Sequence, residues 1–209
     1  MPHDPNDPPT IHIVDDDDSM RRSLDSLFRS VGLEARTYPS ARDFFEGVTV
    51  DRPGCIVLDV RLPGASGLDV QTRLTDLGIR LPIILITGHG DVPMSVRAMK
   101  AGAVDFLAKP FRDQDILDAV ATAIERDRKR RAADGKFAHI RSSFETLSSR
   151  ERQVLTLVAG GKMNKQVAGE LGLAEITVKI HRSAAMRKMG ARSVADLVRM
   201  AGVLKLSAT

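Results

Sequence analysis

Cysteine is almost missing from this chain: Cys55 is the only one in 209 residues. A single thiol rules out a disulfide framework and points to a reducing compartment. Long apolar runs are missing too. No stretch approaches the roughly 18 residues that a membrane-spanning helix needs. The N-terminus, MPHDPNDPP, is polar and proline-rich, so it does not read as a secretory leader. Residues 1–9 read instead as a disordered lead-in. What is present suits a folded, water-exposed protein: 43% hydrophobic and 28% charged residues. The length allows one large domain or two small ones.

The charges are unevenly placed. Residues 1–125 carry 20 Asp/Glu against 13 Lys/Arg, and residues 126–209 carry 7 against 18. An acidic part joined to a basic part suggests that the second part meets a polyanion.

In the acidic part, short apolar runs alternate with helical patterns five times. The runs are 10–14, 33–38, 55–58, 82–87 and 104–107. Helices are expected from near residue 20, where Ser19 would be the cap, and over 40–48, 68–77, 91–101 and 113 to about 131. Strict alternation means a doubly wound α/β fold, a parallel sheet with helices on both faces.

Ligand sites in such sheets lie outside the carboxyl ends of the strands. Asp15 and Asp16 follow the first run, Asp59 ends the third, Thr87 the fourth, and Lys109 follows the fifth. Alone, Asp59 could simply cap the Pro63-Gly64 turn. Clustered carboxylates repel one another unless a cation joins them. An all-oxygen set with open positions suits Mg²⁺. A carboxylate beside such a metal can attack phosphorus, with Thr87 and Lys109 holding the phosphoryl oxygens. His12 reads as structural, Cys55 as buried and inert, and His89 as a residue near the site that tunes phosphate lifetime or faces solvent.

These segments resemble the receiver domain of two-component response regulators. The resemblance rests on IVDDDDSMRRSL (13–24), VLDVRLPGASG (57–67), ITGHGD (86–91), AMKAGAVDF (98–106) and AKPF (108–111). It implies that Asp59 accepts a phosphoryl group from a sensor histidine kinase. It also implies that Asp15, Asp16 and Asp59, with the Arg61 carbonyl, hold Mg²⁺ or Mn²⁺. Thr87 and Lys109 would bind the phosphoryl group, and Phe106 would be the aromatic switch residue. The face around Val92, Met94, Ala98 and Ala101 is apolar enough to support a homodimer.

Past Ile124 the apolar stripe stops and ERDRKRRAADGK follows, a charge run expected to be a solvated helix end or linker. Gly135 is expected to break the helix. Phe137, Ile140, Phe144 and Leu147 then form a short apolar face that either packs on the second domain or self-associates. Beyond it, Ser148, Asn164 and Ser193 read as helix caps and Gly172 as a turn. Ile176, Ile180, Ala184 and Met189 are expected inside the third of these helices. Two short helices joined at a glycine, followed by charged Lys179, His181, Arg182, Arg187 and Lys188, match the helix-turn-helix plan.

This part resembles the LuxR-type helix-turn-helix, through LSSRERQVL (147–155), NKQVAGELGLAEITVKIHR (164–182) and MRKMGARSVADLV (186–198). The resemblance implies that Val178, Lys179, His181 and Arg182 face the major groove or its phosphates, with Lys165 and Lys188 as further contacts. Glu151 would be structural, and the last helix, with Leu197 and Val198, would support dimerisation.

The expected organisation is a receiver over 10–125, a partly helical linker over 126–143 and a small all-α DNA-binding domain over 144–209. The whole resembles the NarL/FixJ class of response regulator, close to its FixJ-like members. That implies a cytoplasmic bacterial transcription factor switched by phosphorylation, with promoter DNA and RNA polymerase as partners. The rival readings are an Asp-dependent phosphohydrolase and a regulator that ignores phosphate. Against the first, the place two residues after Asp59 holds Arg61 rather than a carboxylate for acid–base work.

Overall fold

The computed structural model describes residues 8–88 and 92–206, Val92 by its backbone alone. The chain divides into two compact units, Met1–Ala132 and Ala133–Thr209. In the first, β1 (Thr10–Val14), β2 (Glu34–Tyr38), β3 (Gly54–Asp59), β6 (Ile83–Thr87) and β7 (Asp105–Ala108) form a parallel sheet in the order β2-β1-β3-β6-β7. β4 (Arg61–Leu62) and β5 (Ala65–Ser66) are a small antiparallel hairpin turning at Gly64, whose φ of +78° suits glycine. The helices are α1 (Asp18–Ser30), α2 (Ala41–Gly47), α3 (Gly67–Asp76), α4 (Val92–Lys100) and α5 (Asp113–Glu145).

Side chains alternate across each strand, so the sheet feeds two cores. Ile11, Ile13, Cys55, Val57, Ile84 and Ile86 meet Leu24, Phe28, Ile116 and Val120 on one face. Val14, Ile56, Leu58 and Leu85 meet Phe44, Val70, Leu74 and Ala98 on the other. Buried Cys55 has its thiol pushed up by desolvation, with the Asp127 charge adding to the shift, so it is inert. The cap of α1 is Asp17, which accepts from Ser19 and Met20 N–H; Ser19 is already inside the helix. His12 is buried beside Tyr38 and Phe44, with Nδ1 3.0 Å from the Tyr38 hydroxyl.

The expectation that Gly135 ends the fifth helix fails: α5 is one 33-residue helix that passes through it. One glycine costs a helix only about 1 kcal/mol. The spaced pairs Glu125–Lys129 and Arg141–Glu145 and the alanines at 132 and 133 support the helix on either side. The residues expected to form a partly helical linker therefore all lie within α5. The charge run is not all solvated either. Asp127 is fully buried and accepts from Arg130 Nη2 at 2.5 Å, Arg131 Nε at 2.6 Å and Gly54 N at 3.2 Å. Arg131 also donates to the Val50 carbonyl.

The second unit is all helical: the end of α5, then α6 (Ser149–Ala159), α7 (Asn164–Leu171), α8 (Glu175–Met189) and α9 (Val194–Val203). Leu147, Val154, Leu155, Val167, Val178, Ala185, Met189 and Leu197 make its core. Ile140 and Phe144 pack against it, so with Leu147 three residues of the short apolar face before α6 belong to this core, whereas Phe137 is exposed. Ser148 and Ser193 cap α6 and α9 as expected. Asn164 does not cap α7. Met163 is the capping residue, and the Asn164 amide oxygen accepts from Arg182 of α8 instead.

Two measurements test these buried polar contacts. Tyr38 is the only tyrosine and tryptophan is absent, so tyrosine emission during urea unfolding reports the first unit alone. Desolvation, followed by the Arg36 charge, pushes His12 down to about 4 from 6.5. Below 6.5 the unfolded chain takes up a proton that the folded chain refuses, so this contribution is complete above 6.5. It is lost as the pH falls towards 4, by about 3 kcal/mol in all. His12→Gln is expected to flatten that slope. Asp127→Ala is expected to cost about 2–4 kcal/mol at neutral pH, because it strands Gly54 N–H and two guanidinium groups.

Candidate functional site

The sheet order places β1 and β3 side by side, so Asp15 and Asp59 emerge next to each other at the carboxyl edge. Both are buried. Lys109, just past β7, reaches between them: its Nζ lies 2.7 Å from Asp15 Oδ2 and 2.6 Å from Asp59 Oδ2. Its backbone N–H is fixed to the Thr87 carbonyl at 2.7 Å, and the Lys109–Pro110 peptide is cis. Backbone N–H groups hold the other carboxylate oxygens, Asp17 on Asp15 Oδ1 and Arg61 on Asp59 Oδ1, each at 2.9 Å. Arg21 donates to the Asp15 carbonyl.

Burial raises the Asp15 carboxyl above the ordinary aspartate range against the pull of Lys109. Burial also pulls on Lys109, but the hydrogen bonds and charges of Asp15 and Asp59 outweigh it and hold the ammonium above an ordinary lysine. Exposed Asp16 completes an acidic group whose ligand oxygens lie within 4.8 Å of one another. Three carboxylates, one lining the solvent side, are a donor set for a hard divalent cation. Thr87 is buried at the end of β6, and Phe106 is half-buried beside the second core layer. The Arg61 side chain points to solvent on the β4–β5 hairpin. Gly67 packs so tightly that a Cβ there would lie 2.7 Å from the Asp59 carbonyl oxygen. His89 lies outside the described residues.

The apolar dimer face needs correction. Ala98 is fully buried in the second core layer, so it has no surface to offer. Met94 is half-buried against the same layer. Val92 begins α4, and its side chain lies outside the described residues. In the last helix Leu197 is buried in the second unit's core, whereas Val198 is exposed.

The DNA-facing expectation also changes. Val178 is 0% exposed, at the centre of the second core, and its side chain cannot reach a groove. Lys188 pairs with Glu151 at 2.7 Å, and Glu151 also accepts from Ser148 N–H at the start of α6. Arg182 donates to Asn164 and ties α8 to α7. His181 is half-buried, while Lys165 and Lys179 are exposed, Lys179 within reach of Glu175. Ile176 and Ile180, expected inside, are 65% and 61% exposed. An α-helix turns about 100° per residue. With Val178, Ala185 and Met189 inward, the face pointing away from the core carries Ile176, Ile180, Ser183 and Arg187. Both stripes are apolar enough to pass for the inner one. The core that α6 and α7 build decides between them, because Val178 packs there.

A buried acid site at the carboxyl edge of a five-stranded parallel sheet, followed by a helix-turn-helix unit, defines a response regulator that acts on transcription. Residues 11–121 match the response regulator receiver domain family and residues 145–201 the luxR family of bacterial regulatory proteins. The chain belongs to the response regulators that join these two domains. It is 64% identical to nodulation protein W of Bradyrhizobium diazoefficiens over 95% of this chain and 87% of that protein. It is 45% identical to the transcriptional regulatory protein FixJ of Rhizobium meliloti, over 92% and 94% of the two chains. Among solved structures, the response regulator StyR matches with a TM-score of 0.85 at 47% identity, covering 93% of this chain and 98% of that one.

Gly67→Ala is expected to destabilise the first unit by about 1–3 kcal/mol, since backbone rather than a flexible side chain must move. Tyrosine-monitored urea unfolding measures it.

Proposed function

We propose that Asp59 is the phosphoryl acceptor and that a sensor histidine kinase is the donor. The observation that supports this most is the ammonium of Lys109 bound at once to Asp59 and Asp15. A phosphoryl group on Asp59 would bring new anionic oxygens to a place where a cation already waits. Asp15, Asp16 and Asp59, with the Arg61 carbonyl, would hold Mg²⁺ or Mn²⁺. When bound, that ion neutralises charge on the oxygens of the transferring group. The chain's own groups do the rest. Asp59 Oδ2 attacks phosphorus as the bond from phosphorus to the donor histidine nitrogen breaks and the imidazole leaves, Lys109 moves with the phosphoryl oxygens, and the Thr87 hydroxyl binds one of them. The receiver thus catalyses only its own phosphorylation and dephosphorylation.

Drawing Thr87 towards the phosphate leaves room for Phe106, half-buried on the neighbouring strand β7 two residues short of the Thr87 partner Ala108, to turn inward. That biases the surface near α4 and β7, a local charge event with a wider readout. Dimerisation through exposed residues such as Val198 then presents two basic units to a palindromic promoter site, where RNA polymerase can be engaged. The setting is the bacterial cytoplasm. Among the described residues, no helix is long and apolar enough to cross a membrane.

Acetyl phosphate with Mg²⁺ is expected to give a phosphoprotein with the native chain and none with Asp59→Asn, and sedimentation is expected to show a heavier species only for the former. If the native chain stays unmodified while Asp59→Asn binds DNA unchanged, the regulator works without phosphate and the proposal fails.

A further inference from the structure

We infer that Ile176 and Ile180 are the thymine readers of this regulator, packing on the 5-methyl groups of successive thymines in the major groove. The inference rests on the DNA-binding reading of the second unit and sets its base preference.

The two side chains stand one turn apart on α8, both largely exposed, on the face turned away from Val178, Ala185 and Met189. A lone exposed isoleucine needs no explanation. Here two occupy the same face, near the start of the second helix of a helix-turn-helix. In that motif the N-terminal turns of this helix contact base edges. Their surroundings suit nucleic acid: Lys179 and Arg187 flank Ile180 and Ser183 along a shallow groove on α8. Lys165 is exposed at the start of α7. Cations of this kind meet phosphates and set register, but they do not tell one base from another.

Only one base edge in the major groove offers an apolar group, the C5-methyl of thymine. Guanine, cytosine and adenine present donors and acceptors there, which an isoleucine leaves unpaired and desolvated. An apolar pair at this place therefore favours thymine by attraction and disfavours the other bases by cost. Ser183, one turn further on, can bond either donors or acceptors and adds little discrimination. The preference thus falls to the two isoleucines.

The test uses the full chain, treated with acetyl phosphate and Mg²⁺, and duplexes that it selects from a random pool. Each thymine of the selected site is then replaced singly by deoxyuridine, which removes the methyl group and keeps every hydrogen-bonding group. At one or two positions in each half-site the native chain is expected to lose roughly threefold to tenfold in affinity, the worth of burying about one methyl group. Ile176→Ala and Ile180→Ala are each expected to bind thymine and deoxyuridine duplexes alike at one of those positions, and Ile180→Val to keep a preference there. Helical circular dichroism checks that the variants fold. Equal binding of both duplexes by the native chain, or alanine variants that keep the methyl preference, overturns the inference and leaves the DNA-binding reading intact. If no duplex is selected and none is bound at low salt, the DNA-binding reading itself fails and the inference fails with it.

Discussion

One ammonium group holds the receiver's carboxyl edge together. Asp15, just past β1, and Asp59, at the end of β3, are two buried acidic groups on neighbouring strands, and in a weakly screened setting like charges there repel. Lys109 bridges both, so one ammonium faces each of the two carboxyl groups. That bridge needs several things at once. β1 must lie beside β3. β7 must end two strands away from β3, roughly 10 Å across the sheet, which only a long side chain can cross. The registers must hold as well, because a slip of one residue would turn every side chain to the opposite face. The two apolar layers, set by alternating Ile, Val and Leu, prevent such a slip. The site depends on the core in this literal sense.

β3 carries charge management at both ends. Its last residue is Asp59, and its first residue, Gly54, gives its N–H to Asp127 of α5. Gly54 also sits where a Cβ would run into the Thr10 backbone of β1. The strand is therefore pinned at its start by close backbone packing and an Asp–Arg–Arg cluster, and at its end by Lys109. A carboxylate with no exposed surface survives at Asp127 because two guanidinium groups and a backbone donor satisfy it. The same cluster turns part of what looked like a free basic run into structure, leaving Arg126, Arg128 and Lys129 to the solvent.

The strands and the acid edge were legible in the residues because their signals are local. Short β-branched runs end in Asp, Thr or a Lys-Pro pair, and strand-end chemistry in a parallel sheet follows from topology. The course of α5 was less legible. A glycine inside a charged segment looks like a stop, and only the sum of helix-forming neighbours and spaced ion pairs shows that it is outweighed. For Asp127 only half of the signal was local: Arg130 and Arg131 stand three and four residues on, but the burial and the Gly54 N–H, 73 residues away in sequence, come from the tertiary fold. On α8 the difficulty was phase. The stripe expected inside, 176-180-184-189, and the stripe found inside, 178-185-189, are both apolar and share buried Met189. The second wins because Val178 meets the Val154, Leu155 and Val167 layer, a contact no single-helix pattern contains. Ala98 and Leu197 failed for the same reason. An apolar residue on a helix is drawn to the nearest core before it is available to a partner.

The corrected phase of α8 changes how recognition is divided within the basic unit. Lys188 and Arg182, which look like DNA contacts when only charge is counted, are tied to Glu151 and Asn164 and hold helices together. Lys165, Lys179 and Arg187 remain exposed and can meet phosphates. Positive charge of this sort gives affinity for any duplex and weakens as salt rises. The uneven charge of the whole chain, acidic before residue 126 and basic after it, therefore accounts for attraction to DNA without accounting for choice of sequence. Choice has to come from the outward face of α8. That face is mainly apolar in its first two turns, which is why the inferred discrimination rests on shape and methyl contact more than on hydrogen bonds from charged side chains.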